Sequence, residues 1–232
     1  MGRGTAMPRL SIVIPTLEAG TALRRSLPAL AEGNEIVQEI IVADGASRDD
    51  SAEVAAAHRA KVLLAPPGRG RQLAAGAAAS RGTWLLFLHA DTVPTPGWTK
   101  AVRGFMADSA NRERAGYFRL RFDDPAPAAR RLERLVAWRC RRFALPYGDQ
   151  GLLISRPLYD ALGGFRALPL MEDVDLVRRI GRARLLLIDH EVMTSAARYR
   201  RDGYLARSLR NLCCLGLYYL GLPPRLILRL YA

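Results

Sequence analysis

The sequence of 232 residues is poor in cysteine and has no long apolar run. Its three cysteines are too few for a disulfide scaffold, and they lack the spacing of metal ligands. The longest apolar run, residues 212–222, is shorter than the roughly 20 residues that cross a bilayer. No apolar segment typical of a secretory signal stands near the start. These absences predict a cytoplasmic protein.

Lysine is also scarce, because only Lys61 and Lys100 stand among 35 basic residues and the others are arginines. The net charge is +13. Arginine binds phosphate and carboxylate groups through its planar guanidinium, so nucleotide phosphates, nucleic acid and an anionic membrane face are all suitable partners. GC-rich coding also produces an arginine excess, so the total charge alone does not choose among them.

In the first half of the chain, short apolar runs alternate with helical stretches. This order predicts βαβ units and a mostly parallel sheet, covered on both faces because the runs are continuously apolar. The predicted strands are Leu10–Pro15, Gln38–Ala43, Lys61–Ala65 and Thr83–Leu88, and the predicted helices are Thr21–Ala31, Asp49–Ala60 and Arg71–Ser80.

The second half is less regular. Its predicted strands are Gly116–Phe122, Gly151–Ser155 and Arg184–Ile188, and its predicted helices are Ala128–Phe143 and Asp173–Ile180. We expect one domain over residues 1–202 and an amphipathic helical tail over residues 203–232, broken at Pro223-Pro224. The tail is expected to pack on the domain, contact a partner such as a second copy, or lie on a membrane surface.

Carboxylates stand where predicted strands end. Asp44 follows the second strand, Asp91 follows the fourth, and Glu172 and Asp173 come later. Ligands of open α/β sheets bind beyond the carboxyl ends of the strands. Each acid alone has a structural alternative in a turn or a helix start, but together, in so basic a chain, they indicate a metal or proton-transfer site.

Four ordered motifs make the chain resemble the family 2 glycosyltransferases, whose GT-A fold is a Rossmann-like α/β sheet with flanking helices. The motifs are Pro15-Thr16-Leu17-Glu18, Ala43-Asp44-Gly45, His89-Ala90-Asp91 and Glu172-Asp173. The stretches 68–76, 146–154 and 194–199 resemble a bacterial subgroup labelled arsenosugar-biosynthesis or radical-SAM-associated glycosyltransferases. The resemblance covers nearly the whole chain.

The resemblance implies metal-dependent, inverting transfer of a sugar from a nucleotide diphosphate sugar, by default a UDP-sugar, to an acceptor hydroxyl. Asp173 would be the general base, and Glu172 would support it or bind the acceptor. Asp91 would bind Mn²⁺ or Mg²⁺. His89 replaces the first Asp of the family's Asp-x-Asp motif, so it is a second metal ligand, a contact to the ribose or a structural residue.

The resemblance also implies binding residues. Asp149 and Gln150 would bind the acceptor or the sugar, although a turn is an equal alternative for Asp149. The acceptor itself, a small molecule or a lipid-linked one, stays open. The family has Asn-Glu where this chain has Glu18-Ala19, which leaves the role of Glu18 open. The residues implied for the nucleotide are Asp44, Glu18, Thr16, Arg69, Arg71, Ala90, Arg198 and Arg200.

Three other interpretations compete. A nucleotidyltransferase on a related scaffold should carry a basic, glycine-rich segment directly after the first strand, where this chain has Thr16-Leu17-Glu18. A non-enzymatic nucleic-acid-binding module could use the helix Arg130–Arg142, but it leaves the acids unexplained, so we expect no nucleic-acid partner. An inactive relative is disfavoured because Asp44, Asp91 and Asp173 are all present.

Overall fold

A computed structural model describes residues 8–231, in which eight strands form one sheet. The strands are β1 (Leu10–Thr16), β2 (Val37–Asp44), β3 (Lys61–Leu64), β4 (Trp84–Phe87), β5 (Val93–Pro94), β6 (Ala115–Phe122), β7 (Leu152–Ser155) and β8 (Leu185–Thr194). The helices are α1 (Gly20–Leu30), α2 (Ser51–Ala57), α3 (Arg69–Ala79), α4 (Trp98–Ala107), α5 (Pro127–Phe143), α6 (Arg156–Ala161), α7 (Glu172–Ile180), α8 (Ala197–Asp202), α9 (Tyr204–Tyr219) and α10 (Pro224–Tyr231).

The sheet is mixed, with the order β3-β2-β1-β4-β7-β6-β8-β5. β1 pairs in parallel with β2 and β4, and β2 pairs in parallel with β3, so the first half is parallel as predicted. β7 is antiparallel to both β4 and β6, and β5 is antiparallel to β8. The expectation of a mostly parallel sheet therefore holds for the first half, while the second half is mixed.

Hydrophobic cores lie on both faces of the sheet. Ile12 and Ile14 of β1 pack with α1 and α4, whereas Val13 faces α3, α6 and α7. This alternation follows from the two-residue period of a strand, and the continuous apolar run of β1 lets it pack on both sides. In α1, Leu23, Leu27 and Leu30 are buried at the spacing of one helix face.

Some strands and helices begin or end at residues other than those predicted. The strand predicted as Arg184–Ile188 continues to Thr194 in β8, because the acidic residues after Ile188 lie at its solvent side. Asp189 pairs there with Arg119 of β6. The predicted helix Asp49–Ala60 is shorter, at Ser51–Ala57, and α4 and α6 were not predicted.

The predicted tail forms α9 and α10, which separate at Pro223-Pro224 as expected. Cys214 of α9 and Ile227 of α10 are buried in one cluster with Met171 and Val174, at the start of α7. These helices therefore pack on the part of the domain that carries the predicted catalytic acids. None of the helices within residues 8–231 combines the length and the apolarity needed to cross a membrane.

Candidate active site

A pocket of about 120 Å³ gathers residues from both halves of the chain. The end of β4, the start of α3, the turn at 148–150, the start of α7, the end of β8 and α9 all contribute to its wall. Its lining residues are Arg69, His89, Asp91, Phe122, Tyr147, Gly148, Asp149, Asp173, Thr194, Ser195, Arg198, Tyr199, Arg207 and Asn211.

Asp173 is held rigidly at the start of α7. Its Oδ2 accepts a hydrogen bond of 2.7 Å from the Gly148 N–H, and its Oδ1 accepts one of 2.7 Å from the Val174 N–H. Both contacts fix the direction of the carboxylate at the N-terminal end of α7. Each oxygen keeps a further lone pair, so Asp173 can accept a proton from a molecule in the pocket.

The backbone before Asp173 is strained. Met171 has a φ of 65°, in the left-handed region that residues with a side chain rarely adopt. Its side chain is buried in the cluster with α9 and α10, which holds the conformation in place. Strain of this kind persists where packing over-determines the backbone, as it does around functional groups.

Glu172 lies beside Asp173 but in a different environment. Its side chain is only 1% exposed, and its Oε1 is 3.4 Å from the Arg69 guanidinium. Burial and the neighbouring Asp173 raise the pKa of Glu172 to about 7, while Arg69 acts in the opposite direction. Glu172 therefore holds a proton up to near-neutral pH.

His89 and Asp91 lie in a tight turn at the end of β4, where the Thr92 N–H donates to the His89 carbonyl at 3.0 Å. Burial, with Arg69 and Arg198 nearby, lowers the pKa of His89 well below its usual value, so the imidazole is neutral. Burial raises the pKa of Asp91, and Arg198 opposes that shift. A neutral imidazole and a carboxylate are both suitable metal ligands.

Gly148 brings the turn against His89. A Cβ at this position would lie 2.5 Å from His89 Nε2 and 3.4 Å from Asp173 Oδ2. Only glycine fits without displacing the imidazole. The absence of a side chain here keeps the start of α7 and the end of β4 in contact.

Asp91 and His89 suit a metal ion that a bound substrate also coordinates. Within residues 8–231, no group of three or more histidines, cysteines or acids is arranged to hold a cation alone. Asp91, with His89 beside it, therefore provides too few protein ligands for a closed structural site. Mg²⁺ is commonly held in this way, by one or two carboxylates together with substrate phosphates.

Asp149 presents an unsatisfied oxygen. Its Oδ1 is out of contact with solvent and has no hydrogen-bond partner. Burial raises the pKa of Asp149 to about 6, with Arg139 opposing the shift and Asp173 and Asp91 adding to it. A buried acceptor without a partner is costly, so a hydroxyl donor from a ligand would be stabilised here.

Gln150 has a structural role instead of facing the pocket. It is 2% exposed, and its amide donates to the Phe118 carbonyl at 3.0 Å. Its Oε1 accepts from Arg139, Cys140 and the Tyr147 N–H. With these contacts made inside the protein, Gln150 is not placed to bind the acceptor or the sugar as the resemblance implied.

The residues implied for nucleotide binding fall into two groups. Asp44, buried at the end of β2, accepts from the Ser47 N–H at 2.9 Å, and Glu18 accepts from the Arg48 N–H at 2.8 Å. Thr16 ends β1 and is 1% exposed. These three form one loop region beside β4, in which Asp44 also has the turn contacts that the structural alternative predicted.

The arginines separate by their position on the helices. Arg69 and Arg198 line the pocket, whereas Arg71 is exposed elsewhere and Arg200 pairs with Asp123 at 3.3 Å. Residues two apart on a helix point to opposite sides. The structure therefore does not bring Arg71 or Arg200 to the pocket. Ala90 lies between His89 and Asp91 in the turn.

Sequence reasoning did not single out several pocket residues, among them Tyr147, Ser195 and Asn211. Asn211 and the buried Arg207 lie one turn apart on α9, and both face the pocket. The spacing of four residues between two polar groups in an otherwise leucine-rich helix is a signal that could have identified them.

The chain matches a protein-family model. The model of the family described as Glycosyl transferase family 2 matches residues 11–166. No curated protein is similar enough to count as a match. None of these comparisons distinguishes the narrower arsenosugar or radical-SAM subgroup.

Solved structures show the same fold. Glucosyl-3-phosphoglycerate synthase from Mycobacterium tuberculosis, in complex with Mn²⁺, UDP and phosphoglyceric acid, has a TM-score of 0.64 and 20% identity over 93% of this chain and 80% of that chain. Mannosyl-3-phosphoglycerate synthase from Rubrobacter xylanophilus has a TM-score of 0.61 and 19% identity over 92% of this chain and 75% of that chain. The predicted GT-A fold is thus confirmed.

Proposed function

The chain belongs to glycosyl transferase family 2, and from that premise we propose that it transfers a sugar from a UDP-sugar to an acceptor hydroxyl, with inversion and with a divalent metal. One observation carries the proposal. Asp91, Asp173 and the guanidinium groups of Arg69 and Arg198 line one pocket at the end of β4. That arrangement provides a metal ligand, a base and cations for a diphosphate in one place.

The leaving diphosphate is stabilised from the β4 side of the pocket. A bound Mn²⁺ or Mg²⁺ supplies Lewis-acid stabilisation of the developing charge. Asp91 would hold it, with the neutral His89 beside it. Arg198 contributes a fixed positive charge, because it lies close enough to affect the pKa of both residues.

Asp173 is proposed as the general base. The acceptor hydroxyl gives its proton to the free lone pair of Asp173 while its oxygen attacks the anomeric carbon, and the bond to the β-phosphate breaks. Attack opposite the leaving group inverts the anomeric centre. The backbone contacts from Gly148 and Val174 fix the direction of the carboxylate throughout this step.

The remaining residues bind and orient. Asp44, with Thr16 and Glu18 beside it, is proposed to bind the nucleotide base, because Thr16 and Asp44 pair at the ends of the parallel strands β1 and β2 and Glu18 follows β1 in the adjoining loop. Asp149 is proposed to accept a hydrogen bond from the acceptor or the sugar through its unpartnered Oδ1. UDP is the proposed nucleotide, which accords with its presence in the Mycobacterium tuberculosis structure. The free thiols of Cys140, Cys213 and Cys214 suit a cytoplasmic location.

Nucleotide titration tests the proposal. We expect calorimetry with UDP, GDP, CDP and dTDP to give one preferred nucleotide, whose binding weakens sharply when a chelator replaces Mn²⁺. Binding of all four alike, fading only as salt rises, would instead indicate a general polyanion binder. A nucleotidyltransferase would bind the nucleoside triphosphate and release pyrophosphate, which product analysis distinguishes from nucleoside diphosphate release.

A further inference from the structure

The outer side of α9 carries a row of exposed leucines. Leu205, Leu209, Leu212 and Leu220 are 74%, 51%, 62% and 79% exposed. They follow one another at helical spacing, opposite the buried Cys214. A helix that only packed on its own domain would direct these residues inward, so this leucine row is an unpartnered apolar surface.

α10 continues the same composition. Leu226 and Leu230 are 49% and 59% exposed, while Ile227 is fully buried and fixes the helix to the domain. Arg225 and Arg229 are exposed beside them. The apolar surface is thus held on a rigid support and carries cationic side chains.

α5, which α9 contacts, adds aromatic residues. Trp138 and Phe143 are 53% and 55% exposed, with ring centroids 5.4 Å apart. The Arg142 guanidinium lies 5.4 Å from the centroid of the Phe143 ring. Tryptophan and arginine together suit a membrane interface, where the ring lies at headgroup depth and the cation meets phosphate.

The charge of these helices is almost entirely of one sign. Residues 204–231 contain four arginines and no acid, and α5 contains six arginines and a single acid, Glu133, whose carboxylate binds Arg130. These segments carry nine of the thirteen net positive charges of the chain. Arg207 is buried beside the pocket and does not reach the outer surface. The exposed arginines complement a negatively charged surface; they are Arg131, Arg134, Arg141, Arg142, Arg225 and Arg229.

We propose that the outer faces of α9, α10 and α5 dock on an anionic lipid membrane. The leucines and Trp138 would enter the interfacial region, and the arginines would meet lipid phosphates. A second copy of the chain would bring the same positive charge against itself. A nucleic acid would leave the leucine row exposed to water. Of these three occupants, an anionic membrane satisfies both the apolar and the charged groups.

Docking would place the membrane next to the pocket, because Arg207 and Asn211 line the pocket from the other side of α9. One helix would then separate the lipid surface from the site. The docking proposal does not depend on sugar transfer, so vesicle binding tests it even if the proposed activity fails.

The test is co-sedimentation of the full chain with phosphatidylcholine vesicles, with and without phosphatidylglycerol, at low and high salt. We expect binding only to the anionic vesicles, weakened by salt. The double variant Leu205→Glu with Leu212→Glu should bind roughly tenfold or more weakly. Leu64→Glu is the matched control, because Leu64 on β3 is also 74% exposed and lies outside these helices; it should bind like the unmodified chain.

Three results would overturn the proposal. The first is the absence of binding to anionic vesicles by the unmodified chain, and the second is equal binding by the double variant with an unchanged melting temperature. The third is a dimer, seen by sedimentation equilibrium, that the double variant dissociates while vesicle binding stays the same. The double variant Arg225→Gln with Arg229→Gln should also weaken vesicle binding and remove part of its salt dependence.

Discussion

The first half of the sheet, from β1 to β4, and the second half, from β6 to β8, contribute to the pocket in different ways. β1, β2 and β4 run parallel, so Asp44 and Asp91 both follow carboxyl ends of strands at one edge of the sheet. In the second half, β7 runs antiparallel to its neighbours, and the pocket residues come from the ends of β6 and β8, from turns and from helices. The strand-end half, β1 to β4, suits the donor, to which Arg198 of α8 adds a cation. The second half otherwise suits the acceptor and the base.

Within the second half, neighbouring acids have different surroundings. Asp173, at a helix start, has two backbone N–H donors, whereas Asp149 in the preceding turn has an oxygen without a partner. Acids that lie close together thus differ in their surroundings, and burial raises the pKa of Asp149 and of Glu172. Pairs with opposed environments are the usual basis of acid and base roles.

The largest effect is expected at the base. Asp173→Asn should reduce sugar transfer roughly 10²–10⁴-fold, because the amide cannot accept the hydroxyl proton. Nucleotide binding should stay nearly unchanged, since Asp173 lies in the second half and is assigned to the acceptor. Steady-state turnover and nucleotide calorimetry on the same preparation measure both. Asp160→Asn, at an exposed position of α6, is the control; joint loss of binding and turnover in D173N would contradict the division between the halves.

Glu172, in the second half, should make the stability of the protein depend on pH. Its folded pKa of about 7 lies above the ordinary glutamate pKa of 4.5, so ionisation destabilises the folded state. The stability of the protein should fall as pH rises from 4.5 to 7, by up to about 3 kcal/mol from this group, and level off above. Glu172→Gln should remove that loss and be the more stable form above pH 7.

Urea unfolding at a series of pH values measures this effect. Asp149, whose pKa is raised to about 6, contributes with the same sign and remains in the variant. Glu53→Gln, at an exposed site on α2, is the matched control. Parallel profiles for Glu172→Gln and the unmodified chain would show that Glu172 is not the titrating group.

Asp91→Asn should weaken nucleotide binding only in the presence of metal. Loss of a partner in the outer shell of a metal site costs roughly 10–100-fold in affinity, and loss of a ligand should cost at least as much. Calorimetry of UDP with Mn²⁺ and with chelator separates the two contributions. Metal-dependent binding that survives in D91N would move the metal site away from the strand-end half.

The strands of the first half, β1 to β4, could largely be predicted from the sequence, because the patterns that indicate them are local. Apolar runs of strand length and the turn residues after them located β1 to β4 and the acids at their ends. The sequence also located β6, β7, α5 and α7 of the second half to within a residue or two at each end. The packing of these elements into the pocket could not be predicted, since its contacts join distant residues. Arg69 and Glu172, for example, are separated by 103 positions, and the burial that raises the pKa of Glu172 follows from that packing.

Helix geometry would have refined the choice of arginines. Arg69 and Arg71 were treated alike, as were Arg198 and Arg200, although residues two apart cannot share a helix face. The sequence alone did not tell which member of each pair faces the pocket, because that depends on how α3 and α8 are rotated against the sheet.

The smallest effect is expected at Arg200, which tests this distinction. Arg198→Ala should raise the KM for the donor roughly tenfold, because a cation beside the diphosphate contributes about 1.5–3 kcal/mol as a charged hydrogen-bond donor. Arg200→Ala should change KM less than about twofold and stability by under about 1 kcal/mol, since its half-exposed ion pair with Asp123 is weak. Initial rates over a range of donor concentrations compare the two. Equal effects of R198A and R200A would mean that α8 turns on donor binding, and that the division between the halves holds only for the free enzyme.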